Sequence, residues 1–359
     1  MTDSIIDAAH VVLPCPEPLS GTLDFFLELG FKVRTIVPAD HPRMAVMQGF
    51  GLTIRLDCSS DAPPAHLRLL TTSGDAPRTL VAPNGSLVEF VPANPPLEIP
   101  PLVEEFVLTL APVSDNEFGE GRAGMNYRDL IPSRLGGRFI ASHIMIPHGG
   151  PVADYVHFHN IRFQMIYCYR GWTRVTYEDQ GEVMLLQEGD CFLQPSTIRH
   201  RVLEASDRMQ VIEIGCPAEH ETWGDPATTL PTGLTLPDRG YGPDGHRFVF
   251  HQAATATWAP WRLDGYEHRD TGIGAAMDGV AGVRVVRPLG SSAPVTTQHD
   301  AEFMFQFILD GGITLQRADD VPVRLGEGDS FVMPAHTRYT LSEPTPDLQL
   351  LDVTLPDLV

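Results

Sequence analysis

Lysine is nearly absent from this 359-residue chain: Lys32 is the only one, and the other basic side chains are arginines. Schiff-base chemistry therefore has a single, isolated candidate amine. Positive charge is scarce as a whole. The formal net charge of −21 would repel nucleic acid and anionic membranes, so neither is expected as a partner. Long apolar runs are missing too; none approaches the roughly 20 residues of a spanning helix. The N-terminus, Met-Thr-Asp-Ser-Ile-Ile-Asp, lacks the basic and apolar regions of a secretory signal, and the chain reads as cytoplasmic. The five cysteines (Cys15, Cys58, Cys168, Cys191 and Cys216) are odd in number and never in CxxC spacing. They fit reduced thiols and exclude a disulfide framework.

What is present is an ordinary globular composition, 43% hydrophobic and 20% charged, on a chain long enough for two or three cores. Its most informative stretch runs from Gly150 to Glu204. His157-Phe158-His159 places two imidazoles on one face of a strand. Gln164 opens the strand-like Gln-Met-Ile-Tyr-Cys-Tyr, which Gly171 ends. A Glu-Gly-Asp turn at 188–190 starts another hairpin, and Pro195 to His200 brings a third imidazole back. Three imidazoles and one amide at these spacings can close on a single metal ion through nitrogen and oxygen.

This pattern resembles the two motifs of the cupin superfamily, small antiparallel jelly-roll barrels. The first motif, Gly, two His flanking one residue, Glu and Gly, matches Gly150, His157, His159, Gln164 and Gly171. The second, Gly, Pro, Gly, His, Asn, matches Gly189, Pro195, Thr197, His200 and Glu204. Gln164, Thr197 and Glu204 depart from the pattern. The resemblance implies a divalent metal at His157, His159, Gln164 and His200, one per chain. Fe(II) is favoured, with Ni, Zn or Mn as alternatives. Gln in place of Glu leaves the metal's charge uncompensated, which suits an anionic or enolisable substrate. It also leaves the general-base role vacant. Arg162, two residues before Gln164, is a candidate to pair with a substrate carboxylate or enolate. Tyr155, Tyr167 and Glu213 are candidates for acid–base or orienting roles, and Cys168 reads as a small core filler inside the barrel.

The chain then repeats itself. Arg128-Asp129 recurs as Arg269-Asp270, Gly171 as Gly311, and Glu188-Gly189-Asp190 as Glu327-Gly328-Asp329. The spacing predicts a second barrel in which Thr297, His299, Met304 and Tyr339 stand at the ligand positions. One His, a Met and a Tyr do not make a first-row metal site. The second barrel thus reads as structural, supporting the first or a dimer interface.

Upstream, residues 9–14, a helix from Leu19 to Leu29, and strands at 31–37, 43–48 and 52–57 give a βαβββ order. With Phe-Phe-Leu-Glu-Leu-Gly-Phe and Ala-Pro-Asn-Gly-Ser-Leu-Val-Glu-Phe-Val-Pro, it resembles a module of the vicinal-oxygen-chelate (glyoxalase/extradiol dioxygenase) fold. That resemblance would place metal ligands at His10, His66 and Glu89. Between strands at 66–71 and 79–82, however, there is no room for the second module's helix. The expected organisation is mostly β. An α+β module at 1–115 precedes a metal-binding cupin barrel at 116–245 and a degenerate barrel at 246–359, with a proline-rich connection at 92–101.

Three functions fit. One is a dioxygenase acting on a small diketone- or catechol-like substrate, as the resemblance to three-His iron cupins implies. The second is a Ni or Zn lyase or isomerase, as in cupins that open unsaturated uronates. The third is a ligand-binding bicupin without catalysis. The expected partners are a small-molecule substrate and a second copy of the chain.

Overall fold

The computed structural model describes residues 6–74, 76–290, 293–318 and 320–358. It divides into two compact units, one ending at Pro96 and one spanning Leu97–Val359.

In the first unit, strand Val11–Pro14, helix Ser20–Glu28 and strands Lys32–Val37, Met44–Gly49 and Leu52–Asp57 follow in βαβββ order. Gly30 stops the helix at φ 103°, a left-handed conformation that costs glycine little. Val11–Pro14 pairs in parallel with Leu52–Asp57, and Phe26, Phe31, Ile54 and Leu56 bury the helix against the sheet. A separate three-stranded sheet follows. His66–Thr71 lies parallel to Leu87–Pro92, and Arg78–Val81 forms a hairpin with the latter. Among the described residues no helix lies between its strands.

The second unit holds two antiparallel jelly-roll barrels. In the first, Phe163–Arg170, Met209–Cys216 and Ile140–Ile146 form the centre of one sheet. Trp172–Tyr177, His200–Ala205 and His157–His159 lie in the opposite sheet. The second barrel repeats this with Phe303–Asp310, Gln349–Leu355 and Gly282–Pro288 facing Gly312–Arg317, Tyr339–Ser342 and Val295–Thr297. Even the irregularities recur: a bulge at Cys168/Arg170 followed by Gly171 at φ 78°, and one at Ile308/Asp310 followed by Gly311 at φ 69°.

Strand parity decides where the core sits. Phe163, Met165, Tyr167 and Tyr169 point out of the first barrel and pack with Phe303, Phe305, Phe307 and Leu309 of the second in one shared core. Phe139 stacks on Phe303 with centroids 4.1 Å apart. The alternate residues, Ile166 and Cys168, face their own barrel's interior.

The two barrels also exchange arms. Val107–Thr109 pairs with Ser330–Val332 of the second barrel, and Val249–His251 pairs with Cys191–Leu193 of the first. The repeated sequence motifs fasten these arms. Asp190 Oδ1 accepts the amide of Ala253 at 2.8 Å, and Asp329 Oδ1 accepts that of Ala111 at 2.6 Å. Arg128 donates to the Gly328 carbonyl and Arg269 to the Gly189 carbonyl, both at 3.3 Å. The duplicated Arg-Asp and Glu-Gly-Asp elements are thus a reciprocal clamp between barrels. The arms move the expected boundaries: residues 97–115 belong with the barrels, not the N-terminal unit, and 249–251 complete the first barrel's sheet.

Candidate metal centre

The alternation His157-Phe158-His159 turns both imidazoles inward on one short strand, and the register sets His157 opposite His200. Phe158 faces out beneath the guanidinium of Arg199, 4.2 Å from its ring centroid. The turn before His200 keeps a left-handed backbone at Thr197 (φ 68°), where the motif has glycine. The amide of Thr197 bonds the His159 carbonyl at 2.8 Å, tying the turn to the other ligand strand. The second barrel does the same with His336 (φ 60°) and the His299 carbonyl.

Nitrogen atoms of His157, His159 and His200 lie within 4.8 Å of one another, and all three side chains are buried. Each Nδ1 faces a backbone carbonyl: Tyr155 at 2.7 Å, Glu221 at 3.2 Å and Ile198 at 3.0 Å. A carbonyl can only accept, so Nδ1 carries the proton and Nε2 keeps its lone pair, as a metal ligand requires. Tyr177 stacks on the His200 ring and receives a bond from Gln194. Burial, with Arg122 adding to it, lowers the pKa of His157. Burial, then His220 and His157, pushes His159 down to about 3, and burial with the other two imidazoles holds His200 well below its ordinary value. The trio is neutral at pH 7, so a cation meets no protons to displace.

Gln164 fits as a fourth donor. Its Nε2 donates to Glu213 Oε1 at 2.6 Å, which fixes the amide's orientation because a carboxylate only accepts. Its Oε1 is buried without a partner. An orphaned oxygen on the wall that also carries His159 and His200 suits a cation. The donor set therefore matches a divalent metal, with Glu213 as the residue that orients Gln164.

The cavity beside the trio has a volume of about 430 Å³. Its walls are mainly apolar, including Met125, Ile144, Ile166, Val175 and Val211, and His159, His200, Gln164 and Glu213 are among the polar groups that line it. Four residues on or behind these walls carried no motif in the sequence. Arg122 donates from Nη1 to Asp154 Oδ1 at 2.5 Å and from Nη2 to His157 Nε2 at 2.8 Å. Asp154 is fully buried and takes the Val202 amide on Oδ2 at 2.9 Å. Tyr127 is raised to about 12, first by burial and then by Glu213, and stays protonated. His220 packs edge-on against His159 with centroids 5.1 Å apart.

Two expected site residues lie elsewhere. Arg162 precedes its strand and is captured by Glu302 of the second barrel at 2.6 Å, a carboxylate it shares with Arg138. Tyr167 points into the core between barrels. Glu213 lines the cavity. Tyr155 is half exposed, its ring against His157, and Cys168 is buried inside the barrel. His10, His66 and Glu89 do not assemble. His66 and Glu89 are 3.4 Å apart on neighbouring strands, Glu89 also pairs with Arg68, and His10 is exposed beside the other sheet. Among the described residues the three-histidine group is the one metal-competent cluster.

In the second barrel Met304 and Tyr339 face each other, hydroxyl to sulfur, at 3.5 Å. Asp352 accepts from Gln306 at 2.7 Å with Arg262 3.6 Å away, and His299 Nε2 donates to the Met333 carbonyl. These groups are engaged with one another rather than converging on a point.

Fold and site together define a protein of two jelly-roll barrels with one candidate metal centre. Residues 283–354, which make up most of the second barrel, match the family model described as "Cupin domain". Among solved structures the chain is similar to the putative glyoxylate induced protein from Pseudomonas aeruginosa, at 12% identity and TM-score 0.53, covering 74% of this chain and 95% of that one. It is also similar to a mutant of oxalate decarboxylase from Bacillus subtilis, at 14% identity and TM-score 0.50, covering 70% and 78%. At such identities the likeness is one of fold. No curated protein matches the sequence.

Proposed function

We propose that the first barrel is a metal-dependent oxidoreductase site of dioxygenase type, acting on a small anionic or enolisable substrate related to diketones or catechols. The observation that supports this most is the convergence of three neutral imidazoles beside a mainly apolar cavity that His159 and His200 help to line. A divalent ion held there supplies a Lewis acid with open coordination positions and, if it is iron, one-electron reactivity toward dioxygen. The chain's own residues do the rest. The apolar walls exclude water and strengthen every charge interaction inside. Glu213 holds Gln164 so that its oxygen stays turned away from the carboxylate. Tyr127, kept protonated, offers a hydroxyl donor on the cavity wall.

The same walls weigh against an unsaturated uronate. Each hydroxyl of a sugar acid set against Met125, Ile144 or Val175 would lack a partner there, at about 1–3 kcal/mol for each unsatisfied group. The lyase or isomerase reading is therefore second. The test is oxygen consumption by protein reconstituted separately with Fe(II), Ni(II), Zn(II) and Mn(II), on a panel of diketones and catechols. Uptake with iron alone, lost in His200→Ala, supports the proposal. Turnover without oxygen uptake under Ni(II) or Zn(II) would replace it by the second reading.

A further inference from the structure

Arg122 stands where the histidine cluster meets the cavity, and its bonding changes once the cluster is used. Asp154 fixes it from behind: the carboxylate is fully buried, held by the Val202 amide, and takes Arg122 Nη1. The guanidinium is thus anchored and cannot shed its charge. Its Nη2 donates to His157 Nε2, an acceptor only while that lone pair is free. A cation closing on the three Nε2 atoms removes this acceptor. It leaves Nη2 with donors beside the centre and an apolar cavity around them.

Charge points the same way. With a dication in place, metal and Arg122 carry three positive units, and the carboxylates of Asp154 and Glu213 return two; the three histidines and Gln164 are neutral. One positive unit stays uncompensated in a water-poor site, and a monoanion cancels it. The freed face of a guanidinium matches a planar carboxylate through paired N–H donors.

We propose that Arg122 is the substrate-anion residue of this site, and that the substrate is a monocarboxylate with an apolar body, its carboxylate on Arg122 and its body along the Met125, Ile144 and Val175 wall. This rests on the metal-centre reading above. Arg122 is then a specificity-determining residue that touches substrate, while Asp154 is a positioning residue.

The test uses full-length protein loaded with Zn(II), a redox-silent ion, and calorimetric titration with aryl and alkyl keto-carboxylates, each against its methyl ester. Metal content is measured first, because a native protein that takes up no zinc removes the metal-centre reading and the inference together. Native zinc protein is expected to bind at least one carboxylate tenfold or more tightly than its ester. Arg122→Met is expected to keep one zinc per chain and lose that preference, and Arg122→Lys to keep part of it. A zinc-loaded Arg122→Met that retains the preference overturns the proposal, as does a native zinc protein with no preference across the panel. Loss of zinc from Arg122→Met, Arg122→Lys and Arg122→Gln alike would make Arg122 a support for His157, and would also overturn it.

Discussion

Replacing Gln164 by glutamate exchanges one nitrogen for oxygen, yet the structure gives that exchange a large effect. Gln164 is buried, and its Nε2 lies 2.6 Å from Glu213 Oε1. In Gln164→Glu two carboxylates meet there, and both cannot stay ionised. At about 4 Å and an effective dielectric near 20 their repulsion is on the order of 4 kcal/mol. One proton is then shared by the pair and held well above the ordinary glutamate range. Above that range the folded variant still holds a proton that the unfolded chain has released. Metal-free Gln164→Glu therefore loses stability as pH rises, by about 4 kcal/mol between pH 4 and 8 relative to the native chain, which has a neutral amide. A metal bound to the new carboxylate expels the shared proton, so the variant releases about one more proton per metal than the native protein near pH 6. Turnover of an anionic substrate should fall, because the added charge offsets part of the metal's. The assays are urea unfolding of metal-free protein across pH and zinc titration in buffers of different ionisation enthalpy. Equal pH dependence of stability in variant and native chain, with no extra proton released, would refute the Gln164–Glu213 contact.

Two further outcomes follow from the fold. A chain beginning at Leu97 should stay soluble and bind metal, whereas one beginning at residue 116 loses the Val107–Thr109 strand and the Ala111–Asp329 clamp. Denaturant titration should show the shorter chain markedly less stable, and equal midpoints would mean that the arm contributes nothing. His143, buried between the barrels against Tyr169 and Phe307, is pushed down to about 4, chiefly by burial. The unfolded chain binds its proton near 6.5. This group's contribution is therefore complete above pH 6.5 and is lost as pH falls through 4, on the order of 3 kcal/mol. His143→Gln should flatten that part of the stability–pH curve, and an unchanged slope would contradict it.

The histidine trio was legible because its signal is local: an alternating His-Phe-His, and a turn whose backbone survives even with Thr197 in place of glycine. The duplication was legible for the same reason, although its purpose, each Arg-Asp and Glu-Gly-Asp pair clamping the other barrel, needed the fold. Arg162 shows where such reading fails. Its parity with Gln164 is right, but the strand begins at Phe163, and Glu302, 140 residues away, decides where the side chain goes. Tyr167 is three residues from the inward Gln164, so alternation alone already assigns it to the outer face. Arg122, Asp154 and His220 lie outside the regular strands with no spacing to announce them. The resemblance that suggested His10, His66 and Glu89 concerned an order of elements, and order does not bring three side chains to a point. The arm at 107–109 was unreadable as part of a barrel because its partner strand is more than 200 residues further on.

One metal at one place underlies both the proposed activity and the role of Arg122, and anomalous diffraction from crystals of the metal-reconstituted protein tests this most directly. A single peak per chain is expected, about 2.0–2.2 Å from Nε2 of His157, His159 and His200, with Gln164 Oε1 turned toward it and no peak in the second barrel. A peak in the second barrel or at His66 and Glu89, or none at the histidine trio, would contradict it.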